Sequence, residues 1–264
     1  MQGSILGAPA ASDSVLVYDG RARIQEGFVV GTSSATVFSI VNTDLAGSGD
    51  YYSRGLRSVG GVSNGVWAAK NAVLIAQTGD PVASPVVGPV EHWASTFYAF
   101  TGNSNGDWVL VGRTDNPNSA TDDVVVVNGQ VVLREGDPVD LNNNGVYDDN
   151  VFIGRGVNTN GAFEPNDIAL SDEGMLYIFV DLRDGQGNDL NSNPSFGTPQ
   201  AFLRFDVTPA CLGDANGNGV VDIDDLVLVI TNWNNAGGPG DVNNDNIVNI
   251  DDLVEVIVHW GGCP

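Results

Sequence analysis

The chain has 264 residues, of which 33 are acidic and 10 are basic, so its formal net charge is −23. This charge argues against nucleic acid and anionic membranes as partners, because both bind to clustered lysine and arginine. Asp outnumbers Glu by 27 to six, a balance typical of turns and calcium loops rather than of charged helices. The composition therefore agrees with an exported protein that is extracellular or displayed at the cell surface.

The sequence predicts no membrane span, because no apolar run approaches the roughly 20 residues that a spanning helix needs. The first ten residues also lack the basic region and the long apolar stretch of a signal peptide. Two explanations stay open: an export signal already removed, or a chain that is a fragment.

Residues 1–208 are predicted to form one β-rich domain. Short alternating or valine-rich runs recur between Gly, Asn and Asp turns, which is the pattern of strands. These runs are 15–18, 36–41, 66–69, 108–111, 124–127, 176–180 and 201–207. No segment has the length and period of a long helix.

Three segments of this domain share a tight turn, a strand and a closing glycine: 19–27, 71–79 and 128–136. Their closing glycines recur at roughly fifty to sixty residues, a period that suits four-stranded propeller blades, and three or four such units can be counted. Gly-Asp-Pro-Val follows two of them, and with the segment 166–174 it resembles the blades of secreted bacterial propeller-like repeat proteins. A sandwich or an open β-domain is the alternative, since Asn-Gly turns are ordinary hairpin chemistry.

A candidate cation loop lies within this domain. Positions 1, 3, 5, 7 and 9 of a calcium loop are filled by Asp140, Asn142, Asn144, Val146 (backbone carbonyl) and Asp148. The twelfth position is Val151, so the closing carboxylate must come from elsewhere, such as Asp149. We expect a third, weaker calcium site here, with a solvated turn as the alternative.

Signals for catalysis are poor, and no catalytic residue is assigned. His92 and His259 are the only histidines, so a His-rich metal site and a Ser-His-Asp arrangement both lack support. A glycosidase needs only two carboxylates. The glutamates that could supply them are Glu26, Glu91, Glu135, Glu164 and Glu173. Glu26 and Glu135 occupy equivalent repeat positions, which favours a structural role over an active site.

Aromatic side chains of this domain could stack on sugars, which makes a polysaccharide a possible ligand. The candidates are Tyr51, Tyr52, Trp67, Trp93 and Trp108. Core packing is the more ordinary explanation of these residues.

A twelve-residue calcium loop occurs twice near the end of the chain, at 214–225 and 241–252. Calcium collects six to eight oxygens, which such loops supply from positions 1, 3, 5, 7, 9 and 12. The first loop offers Asp214, Asn216, Asn218, Val220 (backbone carbonyl), Asp222 and Asp225. The second offers Asp241, Asn243, Asp245, Ile247 (backbone carbonyl), Asn249 and Asp252. We therefore predict two bound calcium ions.

Each loop is followed by apolar residues at spacings of three and four, which predicts one apolar face on a short helix. The two sets are Ile223, Leu226, Val227, Ile230 and Trp233, then Ile250, Leu253, Val254, Ile257 and Trp260. Gly/Pro-rich chain precedes each loop, so no entering helix of an EF-hand is expected. The two units should depend on each other to fold.

The segment 213–260 resembles a type I dockerin, a family of duplicated loop-helix repeats. The resemblance implies two calcium ions and a cohesin module as the protein partner. At loop positions ten and eleven, which face cohesin in the family, this chain has Ile223-Asp224 and Ile250-Asp251 instead of small hydroxyl pairs. The resemblance therefore implies calcium binding more directly than cohesin binding.

The only two cysteines, Cys211 and Cys263, bracket the domain predicted at 209–264. A disulfide between them would stabilise this small module by about 4 kcal/mol through loop entropy. Two free thiols are the alternative.

Two functions of different classes follow from these residues. The first is a secreted, non-catalytic protein whose calcium-loaded module attaches its β-domain to a partner protein. The second is a secreted carbohydrate-active enzyme that its dockerin recruits to a scaffold or cell surface. A variant of the first is a calcium-dependent self-assembling surface or filament protein, in which the module binds another copy of the chain.

Overall fold

The computed structural model describes residues 2–4, 12–33, 35–82, 90–142, 144–155, 161–190, 199–207, 213–243 and 247–262. The chain divides into two compact units, Met1–Val207 and Thr208–Pro264. Among the described residues, strands make up the regular structure of the first unit, whereas the second has two short helices and a two-stranded ribbon. The predicted mostly β chain with a small helical C-terminal region is confirmed at this level. None of the described helices has the length and apolarity that crossing a membrane requires.

The described part of the first unit contains four antiparallel sheets. The first sheet has β1 (Gln2–Ser4), β2 (Ser14–Tyr18) and β3 (Arg21–Gln25). The second has β4 (Thr36–Leu45), β5 (Tyr51–Val59), β6 (Val62–Lys70) and β7 (Val73–Gln77). The third has β8 (Trp93–Gly102), β9 (Trp108–Thr114), β10 (Asp123–Val127) and β11 (Gln130–Arg134). The fourth has β12 (Val151–Ile153), β13 (Phe163–Leu170), β14 (Met175–Asp184) and β15 (Gln200–Asp206), with β14 paired to the other three. All seven predicted runs lie in strands, except that Val207 follows the end of β15.

Each repeat segment is the last hairpin of its sheet, and it opens with a residue in the left-handed conformation. Asp19, Asn71 and Asn128 have φ of 51°, 52° and 48°, a region that Asn and Asp tolerate better than most residues. The asparagine side chains also hold a neighbouring strand. Asn71 Oδ1 accepts a hydrogen bond from the N–H of Tyr51 at 3.0 Å, and Asn128 Oδ1 accepts one from Trp108 at 3.0 Å.

The closing glycine of each repeat segment connects its sheet to the next one. Its N–H donates to a carbonyl on the first strand of the following sheet. These bonds run from Gly27 to Val37 at 2.8 Å, from Gly79 to Trp93 at 2.8 Å and from Gly136 to Ile153 at 2.7 Å. Because all three glycines have positive φ, a side chain at these positions would be strained.

The cores of the first unit lie between consecutive sheets. One cluster, with Leu16 and Trp67, joins the first two sheets, and a second, with Tyr52 and Leu110, joins the next pair. A third cluster, which includes Ile178, joins the third and fourth sheets. No core cluster of described residues joins the first sheet to the fourth, so the four sheets form a series and a closed propeller is not shown.

The second unit contains helices α1 (Ile223–Thr231) and α2 (Ile250–Val258). Strand β16 (Val220–Val221) pairs with β17 (Gly261–Gly262). Four fully or almost fully buried valines form its core: Val221, Val229, Val248 and Val256. The second loop repeats the pairing of the first, because Val248 exchanges backbone hydrogen bonds with Asn234 and Asn235, which follow α1.

Candidate functional site

The first calcium-type loop is wrapped around the carboxylate of Asp214. This carboxylate accepts hydrogen bonds from the backbone N–H groups of Gly217, Asn218 and Gly219 at 2.8, 3.1 and 2.8 Å. Asn216 Oδ1 accepts from the N–H of Asn218 at 3.0 Å, which tightens the turn further. Gly219 has φ of +84°, so the sixth position makes the sharp turn that such a loop requires.

Asp225 closes this loop from the first turn of α1. Its carboxylate accepts from the N–H groups of Asn216 at 3.0 Å and Asp222 at 2.8 Å. Asp222 accepts in turn from the N–H of Asp224, so the same residues form the capping box of α1. Asp225 is therefore both the twelfth loop residue and the N3 residue of the capping box.

The second loop places its closing residue in the same way. Asp252 accepts from the N–H groups of Val242, Asn243 and Asn249 at 2.9, 3.2 and 2.8 Å. Asn249 caps α2 through the N–H of Asp251 at 2.7 Å. The predicted ligands Asp241 and Ile247 are also among the described residues, whereas Asp245 lies outside them. The predicted disulfide of Cys211 and Cys263 lies outside them as well.

The two closing carboxylates fit a cation, because no basic side chain of this unit can balance them. Asp225 and Asp252 are both 0% exposed. The stretch 208–264 has nine acidic residues and neither lysine nor arginine, and its single histidine, His259, pairs with Glu255 at 3.1 Å. Burying an uncompensated carboxylate is costly, while oxygen ligands of this kind suit calcium. The residues present therefore match the predicted ion in charge and donor type.

Each loop packs against the helix of the other repeat, and the two repeats are 27 residues apart in sequence. A Cβ on Gly213, just before the first loop, would lie 3.0 Å from the Cα of Val256 in α2. A Cβ on Gly240, just before the second loop, would lie 3.1 Å from the Cα of Val229 in α1. This reciprocal packing supports the expectation that the two loop-helix repeats of the second unit fold together.

The apolar faces predicted from spacing are only partly buried. Val229 and Val256, which the predicted sets omitted, are fully buried, and Leu226 and Leu253 are half-buried. The outer ridges, as we name them, are the exposed sets Ile223, Val227 and Ile230 on α1 and Ile250, Val254 and Ile257 on α2. Their exposures match in pairs, at 56 and 55%, 49 and 46%, and 54 and 57%. Two equivalent apolar surfaces therefore face solvent.

The third loop has a closing carboxylate at Asp149. Asp140 accepts from the N–H groups of Asn144 and Gly145 at 3.2 and 2.8 Å, as Asp214 does in its own loop. Asp149 accepts from the N–H groups of Leu141 and Asn142 at 2.7 and 3.2 Å. Val151, at the twelfth position, is buried in β12. Asp149 thus takes the contacts with loop positions two and three that Asp252 makes in its own loop.

A buried charge cluster, not predicted from sequence, lies between the third and fourth sheets. Asp122, Asp123 and Glu135 have carboxylate oxygens within 4.8 Å of one another. Arg155 pairs with all three of them, and Arg113 lies 3.0 Å from Asp123 and 3.6 Å from Asp122. Because two guanidinium groups already face three carboxylates, this cluster is a poor site for a divalent cation.

Glu135 is the member of this cluster that lines an open cleft. The cleft has a volume of 440 Å³, and Arg155, Arg183 and Asp184 also line it. Burial raises the pKa of the Glu135 carboxyl to about 7, and the charge of Asp123 adds to this effect. The backbone N–H of Arg155 donates to Glu135 at 3.1 Å, and this hydrogen bond acts to lower the pKa of Glu135. The pKa of Asp184 is lowered, mainly by hydrogen bonds from Asn188.

Of the other glutamates considered for catalysis, Glu26, Glu91 and Glu173 are not part of this cluster, and Glu173 lies exposed between β13 and β14. Glu26 accepts from the N–H of Ser14 at 3.4 Å, and Glu91 pairs with Arg134 at 3.1 Å. The side chain of Glu164 lies outside the described residues. No sequence signal set Glu135 apart, because it occupies the same repeat position as Glu26.

The aromatic residues proposed as a sugar platform are mainly core residues. Tyr51, Tyr52, Trp67 and Trp93 are buried, and Trp108 is half-buried against the same core. These residues therefore pack the sheets together, and they offer no platform.

Comparison of the chain with family models, with curated proteins and with solved structures finds no match.

Proposed function

We propose that this is a secreted, non-catalytic extracellular protein, and that its dockerin-like module binds two calcium ions and attaches the β-unit to a protein partner. The observation that carries the proposal is the pair Asp225 and Asp252, two fully buried carboxylates in a stretch without lysine or arginine. Two calcium ions would neutralise four of the nine negative charges of this stretch. Calcium at extracellular concentrations suits loops of this ligand type.

The outer ridges are the surface that we assign to the partner. Exposed apolar patches of this kind are typical of interaction sites, and the pairwise match of the ridges would let a partner bind in either of two orientations. Asp224 and Asp251 lie exposed beside them. A partner with an apolar centre and a basic rim, such as a cohesin-like module, would complement this surface.

The third loop and the series of sheets complete the proposal. Asp140 and Asp149 would hold a third and weaker calcium ion, because the loop curls around Asp140 as the tandem loops curl around their first residue. The four sheets, joined by repeated glycine hydrogen bonds, would be the blades of a propeller-like domain.

Calorimetric titration of the chelator-treated protein with calcium tests the proposal. Asp225→Asn should weaken one of the two tandem sites by at least about tenfold, since it removes a charged ligand. Asp224→Asn, which removes the same charge one residue earlier at an exposed position, should leave both sites intact. Equal affinity in the two variants would contradict the assignment of the ligands.

A carbohydrate-active enzyme is the second candidate, and Glu135 is the observation that favours it. A carboxyl with a raised pKa beside one with a lowered pKa is the division of roles that a glycosidase uses. Glu135 and Asp184 line one cleft and differ in this way. Loss of polysaccharide hydrolysis in Glu135→Gln, measured as released reducing ends, would support the enzyme; no hydrolysis by the wild-type protein would remove it.

A further inference from the structure

In the two interior sheets of the first unit, the two faces of the sheet pack toward different neighbouring sheets. In the second sheet, Tyr52 and Ala68 contact the third sheet, while Tyr51 and Trp67 contact the first. We call the face that packs on the following sheet in the chain the forward face. Because side chains alternate along a strand, the register of the strands assigns each residue to one face.

The third sheet repeats this arrangement toward the fourth. Its forward face carries Val109 and Val111 on β9 and Val125 on β10, and all three are at most 1% exposed. Val111 lies directly across from Val125 in the strand pairing. In both interior sheets, therefore, the forward face packs on the following sheet.

The forward face of the fourth sheet carries aromatic residues at the same positions. The β13–β14 turn matches the β8–β9 turn in its backbone hydrogen bonds, so Tyr177 and Phe179 on β14 correspond to Val109 and Val111. Phe202 lies across from Phe179, as Val125 lies across from Val111. Phe202 is 56% exposed, whereas Val125 is 0% exposed. The face that is buried in every earlier sheet is open in the last one.

The three aromatic rings form one contiguous surface. The ring of Phe202 is 4.8 Å from that of Phe179 and 5.9 Å from that of Tyr177, measured between centroids. Exposed Arg204 lies across from Tyr177 on β15, and exposed Asp167 lies on β13 at the opposite edge of the sheet. The surface therefore has an aromatic centre with one positive and one negative edge.

We propose that this forward face is the interface of a homodimer, in which it packs face to face on the same face of a second copy of the chain. The packing continues the sheet-on-sheet contacts that build the unit itself. A two-fold axis parallel to the strands would place Arg204 of each copy over β13, the strand that carries Asp167, of the other. The reverse face of the first sheet is a poorer partner, since its Val15 is already buried in the chain.

The area of the forward face determines the expected affinity of the dimer. Ten residues of β14 span about 33 Å and three strands about 14 Å, which gives a footprint on the order of 400–500 Å². A standard interface buries about 800 Å² on each partner. The dimer should therefore be weak, and its population should depend on protein concentration.

Sedimentation velocity of the full chain over a concentration series, in chelator, tests this interface separately from the calcium module. We expect a monomer–dimer equilibrium that persists without calcium. Phe202→Ser should raise the dimer dissociation constant about tenfold or more, because it removes the most exposed ring. Arg204→Glu, an exposed charge reversal with little effect on folding, should weaken the dimer as well. Phe28→Ser, at a residue 60% exposed and outside this face, should leave the equilibrium unchanged.

Three results would overturn the proposal: a wild-type protein that stays monomeric at every concentration, a dimer that survives both Phe202→Ser and Arg204→Glu, or association that requires calcium and disappears in Asp225→Asn. The last result would assign self-association to the module and would leave the proposed function standing.

Discussion

Asp225 accepts a hydrogen bond from the backbone N–H of Asn216 at 3.0 Å, which joins the last residue of the first calcium-type loop to its third. The same buried carboxylate accepts from the N–H of Asp222, where α1 begins. Closure of the loop and the start of the helix therefore depend on one side chain. A cation bound at this carboxylate should order the helix together with the loop.

Removal of calcium should unfold the second unit without melting the first. The chelated module keeps two buried carboxylates without a counter-charge, and a ligand at 100 times its dissociation constant contributes about 2.7 kcal/mol of stability. Differential scanning calorimetry with calcium and with chelator should show one transition that moves and one that does not. Trp233 and Trp260, both in the module, report its unfolding by fluorescence. A thermogram that is identical with and without chelator would contradict this account.

Gly240→Ala should destabilise the module even when calcium is saturating. Gly240 has φ of +98°, and a Cβ there would lie 3.1 Å from the Cα of Val229, so the substitution adds crowding to backbone strain. We expect a loss of roughly 2–3 kcal/mol. Gly238→Ala is the matched control, because Gly238 has φ of +87° and nothing within 4 Å of its Cβ position. Chemical denaturation of the two variants separates the cost of crowding from the cost of backbone strain. Equal losses of stability would mean that the close contact with α1 contributes nothing to the cost.

Glu135→Gln should become more favourable to stability as the pH rises. The folded-state pKa of Glu135, about 7, lies above its ordinary value of 4.5, so folding takes up a proton between these values. The cost of burying the ionised group is thus absent below pH 4.5 and complete above pH 7, and it amounts to about 3 kcal/mol. Gln resembles the protonated form.

The measurement is the stability difference between Glu135→Gln and the wild type at pH 5 and at pH 8. The difference should shift in favour of the variant at pH 8. Glu26→Gln, at the equivalent and partly exposed position of the first repeat, is the matched control. A pH-independent difference for Glu135→Gln would show that Arg155 compensates the buried charge fully.

The outer ridges should act as alternatives in partner binding. Ile230→Asp places a charge on the α1 ridge alone, and Ile257→Asp does so on α2. If a cohesin-like partner binds in either of two orientations, each single variant should retain binding within a few-fold, and the double variant should lose it. Surface plasmon resonance against immobilised cohesin modules provides the readout. Complete loss in one single variant would assign binding to one ridge.

Local chemistry explains why much of the β-unit could be predicted from sequence. Asn71 and Asn128 indicate turns in the sequence, because few other residues accept positive φ. Gly79 and Gly136 recur because their backbone N–H groups donate hydrogen bonds to the next sheet. The pairing of successive sheets could not be read in the same way. It depends on which face each strand presents, and the valine run 124–127, buried on both faces, carries no alternation that would show it.

The sites divide along the same line. The loop ligands follow from spacing, because positions such as Asp214 and Asp225 lie within twelve residues of each other. The buried face of α1 could not be predicted from spacing in this way. Residues 226–230 are all apolar, so the helical period does not show that Val229 is buried and Ile230 exposed. The repeat position of Glu135 predicts only a structural role. Its ion pair with Arg155 could not be predicted, because Arg155 reaches it only through the packing of the fourth sheet on the third.

Native mass spectrometry of the chelator-treated chain, titrated with calcium, tests the central claim most directly. We predict that two calcium ions bind to the wild-type protein with the highest affinity, that a third binds more weakly, and that Asp225→Asn and Asp252→Asn each remove one of the first two. A protein that binds no calcium at millimolar concentration, or that keeps both tight ions in these variants, would contradict the account.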